Sequence, residues 1–284
     1  MIHKIVIPVR GDNKGDNVLA HAVSLANRYK AHVVVTHCRP RTEDLMPFGV
    51  PIPAALKKMV IEQSKGVADQ VEDGMRGEVE TIAKQFGVVF SDKPVANQAS
   101  VSWLEEQGRQ VDVIKRHGRV ADLICVAKPD VSRNLGSNTL KAALFNTGRP
   151  VMMCPPSTGS LDNLCDKVGI AWNGSVQASR AVATTLDILE QASQVVILAS
   201  GVQVSGASAT SLAEYLEMRN INVQVDQFEN TKSIGSDLLE RSSQAEIDTL
   251  IMGAYSNSHE AETILGGTTQ YVVDQSEFPI ILVH

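Results

Sequence analysis

Short, unbroken apolar runs alternate with longer amphipathic stretches along most of this 284-residue chain. Lys4-Ile5-Val6-Ile7-Pro8-Val9, His32-Val33-Val34-Val35, Leu123-Ile124-Cys125-Val126 and Ile280-Ile281-Leu282-Val283 are continuous rather than alternating. That pattern predicts strands covered on both faces, as in a parallel sheet. Between Ser175 and Gln191, the positions Ala178, Ala181, Val182, Thr185, Leu186 and Leu189 recur at helical spacing and form one apolar stripe, with Ser175 placed to cap it. Leu212, Tyr215, Leu216 and Arg219 predict a second helix, stopped by a left-handed Asn220, and Ile234, Leu238, Ser242 and Ala245 predict a third. Strands alternating with helices at this spacing imply right-handed crossovers onto a parallel sheet.

The pattern occurs twice. Lys4 to Gly11 aligns with Lys167 to Gly174, Ala31 to Cys38 with Ser193 to Ser200, Ala121 to Ala127 with Ile247 to Gly253, and Arg149 to Cys154 with Phe278 to Val283. Four matched strands in one order predict an α/β protein of two tandem, doubly wound domains, each with a five-stranded parallel sheet, spanning residues 1–155 and 166–284. Ser157-Thr158-Gly159-Ser160, after Pro155-Pro156, reads as the linker. The first unit carries roughly 37 additional residues between its second and fourth strands. Pro40, Pro47, Pro51, Pro53 and Gly49 exclude regular structure at the start of this insertion, and Ala54 to Phe86 predicts one long or two broken helices. It is either a surface loop with a lengthened crossover helix, or a lid or interface.

Composition narrows the function classes. Hydrophobic residues are 43% and charged residues 20%, as in ordinary globular domains, and no apolar run reaches the ~20 residues that span a bilayer. The apolar stretch Ile5 to Val9 is too short for a secretory signal, so a cytoplasmic protein without a membrane partner is expected. The net charge of −6 and the lack of Lys/Arg runs argue against nucleic acid as a partner. Cys38, Cys125, Cys154 and Cys165 show no CxxC spacing and read as buried thiols, not as metal ligands. His37 and Trp103 read as packed groups, and Asp122 and Asp248 as turn residues before strands.

In an open parallel sheet the ligand crevice lies beyond the C-terminal strand ends, where the winding reverses. The second unit offers Ala171-Trp172-Asn173-Gly174-Ser175, Ser200-Gly201, and a loop from Gly253 to Thr269 that ends in Gly266-Gly267-Thr268-Thr269. Glycines admit an anion close to the main chain, a first helical turn presents free N–H groups, and Thr hydroxyls add donors. Such a corner suits phosphates; a tight turn with Thr268 as helix cap is the competing reading.

Two such units, each ending in a proline-led apolar strand, resemble the universal stress protein family in its tandem form, over nearly the whole chain. Gly253 and Gly266 keep the spacing of the glycines in the family's nucleotide loop, with Ser256 at the second glycine and Gly267-Thr268 at the end. The resemblance implies an adenine nucleotide, ATP or AMP with Mg²⁺. Ala171, Trp172, Asn173 and Ser200 would line the adenine and ribose, and Gly253, Ser256, Gly266, Gly267, Thr268 and Thr269 would hold the phosphates. It also implies an internal pseudo-dimer, with Val151 to Cys154 and Ile280 to Val283 meeting across a pseudo-twofold axis.

Departures from that pattern set further expectations. Ser256 narrows the approach to a ligand, and Glu260 and Glu262 repel a triphosphate, so weak or adenylate-level binding is expected. In the first unit the corresponding loop is three residues shorter, with Ala127 at the first glycine, Pro129 lacking an N–H, and Arg10 at the family's usual Asp. That unit reads as a degenerate partner, with Lys128 and Arg133 either solvated or touching a phosphate. No catalytic triad, metal-ligand cluster or Walker-type loop stands at the strand ends. A nucleotide-responsive regulator without catalysis is the leading reading. A ligand-free scaffold for a protein partner and a slow ATP hydrolase or nucleotidyl-transferring enzyme stand beside it, and further association of two chains stays open.

Overall fold

A computed structural model describes residues 1–9, 15–39, 72–130, 132–133, 135–156, 161–201, 206–254 and 267–284. In the N-terminal half the elements are β1 (Lys4–Val9), α1 (Gly15–Tyr29), β2 (His32–Arg39), α2 (residues 72–85), β3 (Val89–Phe90), β4 (Ser100–Gln107), α3 (Gln110–Gly118), β5 (Leu123–Ala127), α4 (Ser137–Thr147) and β6 (Val151–Cys154). The C-terminal half follows with β7 (Lys167–Trp172), α5 (Val176–Thr184), α6 (Leu186–Leu189), β8 (Gln194–Ser200), α7 (Ala209–Glu217), β9 (Val223–Phe228), α8 (Ile234–Gln244), β10 (Thr249–Gly253), α9 (Gly267–Gln275) and β11 (Ile280–Val283).

The four matched strand pairs are β1/β7, β2/β8, β5/β10 and β6/β11. Among the described residues the strands form one 11-stranded sheet in the order β3-β4-β2-β1-β5-β6-β11-β10-β7-β8-β9, which is close to a palindrome about its centre. Every pairing is parallel except at that centre, where β6 and β11 run antiparallel with Ile281 opposite Met152. The proline-led last strands therefore join the halves edge to edge, and neither is left as an open edge that would recruit another chain.

One expectation is corrected here: the described residues of the N-terminal half contain six strands, not five. The extra strand, β3, is only two residues long and pairs with β4 at the sheet's outer edge. A second difference lies in the helix expected from Ser175 to Gln191, which breaks at Thr185. The Thr185 hydroxyl donates to Ala181 O at 2.6 Å and its N–H turns back to Val182 O, so the α-helical ladder ends and the short α6 restarts it.

The pleat sorts the core into two layers. On one face, Ile5, Ile7, Val33, Val35, Val168, Ile170, Val195 and Ile197 are buried with residues of α1, α5 and α7. On the other, Val6, Ile124, Val126, Leu198, Leu250 and Met252 are buried with residues of α3, α4, α8 and α9. Both layers cross the β6/β11 junction, since Met152 and Ile281 belong to the first and Met153 and Ile280 to the second. Each such side chain contributes roughly 1.5–3 kcal/mol on burial.

Polar contacts fasten the halves further. Asn17 Nδ2 donates to Pro155 O at 2.7 Å, Ser24 Oγ to Leu161 O at 2.6 Å, and Arg28 to the carbonyls of Leu164, Cys165 and Gln191. The two pre-strand aspartates do equivalent work. Asp122 accepts the N–H groups of His3 and Lys4 at the start of β1, and Asp248 accepts those of Cys165, Asp166 and Lys167 at the start of β7.

Candidate functional site

In the C-terminal half the winding reverses between β7 and β10, which are neighbours with Ala171 opposite Met252. β8 flanks β7 on the other side, with Trp172 opposite Ala199. The carboxyl ends of β7, β8 and β10 therefore lie side by side, and α9 starts at the same edge because it runs back to feed the parallel strand β11. Ala171, Trp172, Asn173, Ser200, Gly253, Gly267, Thr268 and Thr269 are drawn to this edge. Ser256 and Gly266 lie outside the described residues, as do Tyr255, His259, Glu260 and Glu262.

The turn after β7 is built from its own side chains. Asn173 Oδ1 accepts the Ser175 N–H at 3.1 Å, Gly174 takes φ +72°, and Ser175 Oγ caps α5 by accepting the Ala178 N–H at 3.2 Å. A segment preceding α7 lies directly on this turn: a Cβ at Gly206 would stand 2.3 Å from Gly174 O. Only glycine fits there. Trp172 sits under the same segment, with its Nε1–H donating to Ala207 O at 2.9 Å and 5% of the residue exposed. Its indole is a core group on the face of α5 and α7, while Ala171, next in the strand, belongs to the opposite face with α8 and α9.

At the end of β8, the Ser200 hydroxyl donates to Asn230 Oδ1 in the β9–α8 connection. Asn230 was not foreseen as part of this edge, and nothing in its sequence surroundings marks it. Thr231 of the same connection is held by Asp237 in the first turn of α8, which accepts its N–H at 2.9 Å and its hydroxyl at 2.8 Å; these bonds hold the carboxyl below the usual carboxylate range.

Gly253 and Gly267 differ in kind. A Cβ on Gly253 would stand 2.5 Å from Gln177 C and 2.6 Å from Ala178 N, so this glycine lets α5 pack onto the sheet. At Gly267 no described residue lies within 4 Å of such a Cβ, and Thr268 is half-buried. The first turn of α9 thus presents N–H and hydroxyl donors, which fits an anionic group. Among the described residues, no group of His, Cys, Asp and Glu is arranged to hold a metal ion.

At the equivalent edge of the N-terminal half the loop after β5 folds back on itself, beside a small recess bordered by Pro8, Val9, Gly15, Lys128, Gly136 and Thr139. Asp130 and Leu135 exchange two backbone hydrogen bonds at 2.9 and 3.0 Å across the loop after β5. Gly136, at φ +87°, packs on Pro129, its Cβ position being 3.2 Å from Pro129 Cα. Lys128 is partly buried: its Nζ donates to Ser276 O of the C-terminal half at 2.9 Å, and burial lowers its pKa. Arg133 stands 3.9 Å from the Asp130 carboxylate. His37 and Trp103 are packed as expected, stacked with centroids 5.6 Å apart. Cys125, Cys154 and Cys165 are buried.

No protein-family profile and no curated protein sequence matches the chain. Among solved structures, a universal stress protein from Archaeoglobus fulgidus DSM 4304 superposes with a TM-score of 0.69 at 16% identity, covering 99% of this chain and 95% of that one. A functionally unknown protein from Pseudomonas aeruginosa PAO1 gives 0.56 at 13% identity over 99% and 92%, and a candidate universal stress protein from P. aeruginosa UCBPP-PA14 gives 0.53 at 14% over 99% and 93%. The chain has the α/β fold of the universal stress proteins, with two such units in tandem. Among the described residues, no helix is long and apolar enough to cross a membrane.

Proposed function

We propose that the chain is a tandem universal stress protein whose C-terminal half binds an adenine nucleotide and acts as a nucleotide-responsive regulator without a catalytic cycle. The observation that carries this reading is the full-length superposition on a universal stress protein. With that fold, the first turn of α9 stands beside the ends of β7, β8 and β10. Gly267, Thr268 and Thr269, with Ser256 and Gly266 in the preceding loop, would take the phosphate. Ala171, Asn173 and Ser200 would border the base and ribose, and Trp172 would support them from the core. Gly253 would serve by admitting α5 beneath the site. Mg²⁺ would be carried in by the phosphates, since no described carboxylate cluster offers it a place. Hydrogen bonds from N–H and hydroxyl donors hold an adenylate without demanding a cation, which favours AMP over ATP.

The test is to purify the protein without added nucleotide, denature it and identify the released small molecules by mass spectrometry, followed by titration with AMP, ADP and ATP with and without Mg²⁺. Release or saturable binding of an adenine nucleotide is the expected result; neither, up to millimolar concentration, would contradict it. The continuous sheet across β6 and β11 supports the second reading, a scaffold whose two halves form one rigid surface for a protein partner. Mg²⁺-dependent ATP turnover above that of a Gly267→Trp variant would instead establish the hydrolase reading.

A further inference from the structure

Strand β9 ends the sheet on the C-terminal side, and among the described residues it pairs with β8 alone. Two bonds fix its phase: Val195 N–H donates to Asn222 O and Gly201 N–H to Phe228 O, both at 2.8 Å. Even-numbered positions therefore turn their main-chain groups to β8, and Val223, Val225 and Gln227 turn N–H and C=O away from the sheet. The strand reads Val-Gln-Val-Asp-Gln-Phe, without the proline, lysine or bulge that commonly blunts such an edge. Gln224, Val225 and Gln227 are exposed, Val225 to 42%.

The opposite edge is treated differently. There β3 covers the start of β4, with Lys93 and Pro94 shortly after it. Beyond β3 the outer part of β4 carries Glu105 and Glu106 in succession, which repel a like edge. By contrast, β9 complements itself. In antiparallel pairing the outward positions face one another, and the register of greatest overlap sets a twofold axis at Val225. Val225 then opposes its own copy, Val223 opposes Gln227, and Gln224 opposes Asp226, with roughly six main-chain hydrogen bonds formed. The faces agree with this register. Val223 packs on the α7 layer and Phe228 on the α8 layer, so the two Val225 side chains meet on the first face. On the second, each Gln224 amide meets an Asp226 carboxylate. No like charges are opposed, and Arg241 stands 3.6 Å from Asp226. The antiparallel β6/β11 junction already joins two sheet edges in this way within the chain.

We propose that two copies of the chain associate through β9, antiparallel about Val225, and so continue the sheet from one protomer into its partner. A contact of six residues a side is smaller than the ~20–30 of a standard interface, so the association is reversible. Sedimentation velocity from micromolar to millimolar concentration should show a shift from monomer to dimer. Val225→Lys and Val225→Glu, at an exposed position whose N–H faces away from β8, should each abolish that shift while near-ultraviolet circular dichroism stays native. An equimolar mixture of the two variants should restore it, because opposite charges then meet at the axis. A wild-type chain that stays monomeric throughout would overturn the self-pairing and leave β9 to a strand of another protein. A dimer that survives both variants would place the contact elsewhere, the β4 edge included, and overturn it equally. Loss in both variants without recovery on mixing would overturn the axis at Val225.

Discussion

The two halves place one large aromatic residue differently on a common frame, and the consequences run through the molecule. In the C-terminal half Trp172 sits over the first strand, tied to Ala207 O and 5% exposed, and closes the core beneath α5 and α7. In the N-terminal half Val9 takes that place, Trp103 stands two strands outward against His37, and a cavity remains. The loops beyond the strand ends diverge in the opposite sense. The N-terminal loop is held by Asp130, Leu135, Pro129 and the Lys128 tie to Ser276, whereas no described residue comes within 4 Å of a Cβ placed on Gly267. Duplication thus kept the sheet and reassigned the packing around it: a core indole in one half, a small apolar recess in the other.

The largest effect should come from breaking the junction that both halves share. Ile281, fully buried opposite Met152, cannot become a carboxylate without leaving a charge unpaired in the core. Ile281→Asp should cost about 4 kcal/mol or more and unfold both halves together, as read by chemical denaturation followed from each half. Two separate transitions would show that the halves are energetically independent.

Next comes the tryptophan exchange itself. Trp172→Ala removes a buried ring and a hydrogen bond and should destabilise by about 3–5 kcal/mol. Trp103→Ala, at a half-buried position beside an existing cavity, should cost about half as much. Equal losses would contradict the different packing of the two indoles.

Smaller again is the pair of residues at the ends of β5 and β10. Gly253→Ala drives a methyl into the α5 backbone and should cost about 1–3 kcal/mol. Ala127→Gly, the reciprocal change, should cost about 1 kcal/mol or less. Thermal unfolding of the two variants makes the comparison.

The smallest contrast is in acid. His21, His32 and His37 are all in the N-terminal half, and burial lowers each imidazole below its ordinary pKa. Their folded pKa values being depressed, their contribution is complete above the unfolded value of about 6.5 and is lost as pH falls below it. Asp248, in the C-terminal half, has the opposite sign: burial raises its carboxyl, so its contribution improves as pH falls through the folded pKa. Hydrogen-exchange protection factors, corrected for the intrinsic rate, should therefore fall from pH 7 to pH 5 more in β1 and β2 than in β7 and β8.

Much of this frame was legible in the chain, because strands buried on both faces must be continuously apolar, and four such runs repeat in order. The Ser175 cap and the left-handed Asn220, at φ +59°, were equally readable, since their chemistry is local. What escaped depends on neighbours distant in sequence. Strand β3 is too short to carry a periodicity. Trp172 at a strand end reads alike whether it faces a crevice or a core, and only the segment at Ala207 decides. Gly253 looks like a phosphate glycine until α5 is seen packed on it, and Lys128 looks free until Ser276 is placed beside it.

The most direct test of this division of labour is calorimetric stoichiometry with AMP on the intact chain, on Gly267→Trp, whose Cβ meets no described residue within 4 Å, and on Lys128→Ala. One site per chain, lost in Gly267→Trp and kept in Lys128→Ala, is the predicted result. Two sites per chain, or binding that survives Gly267→Trp and disappears with Lys128→Ala, would contradict the assignment of the nucleotide to the C-terminal half.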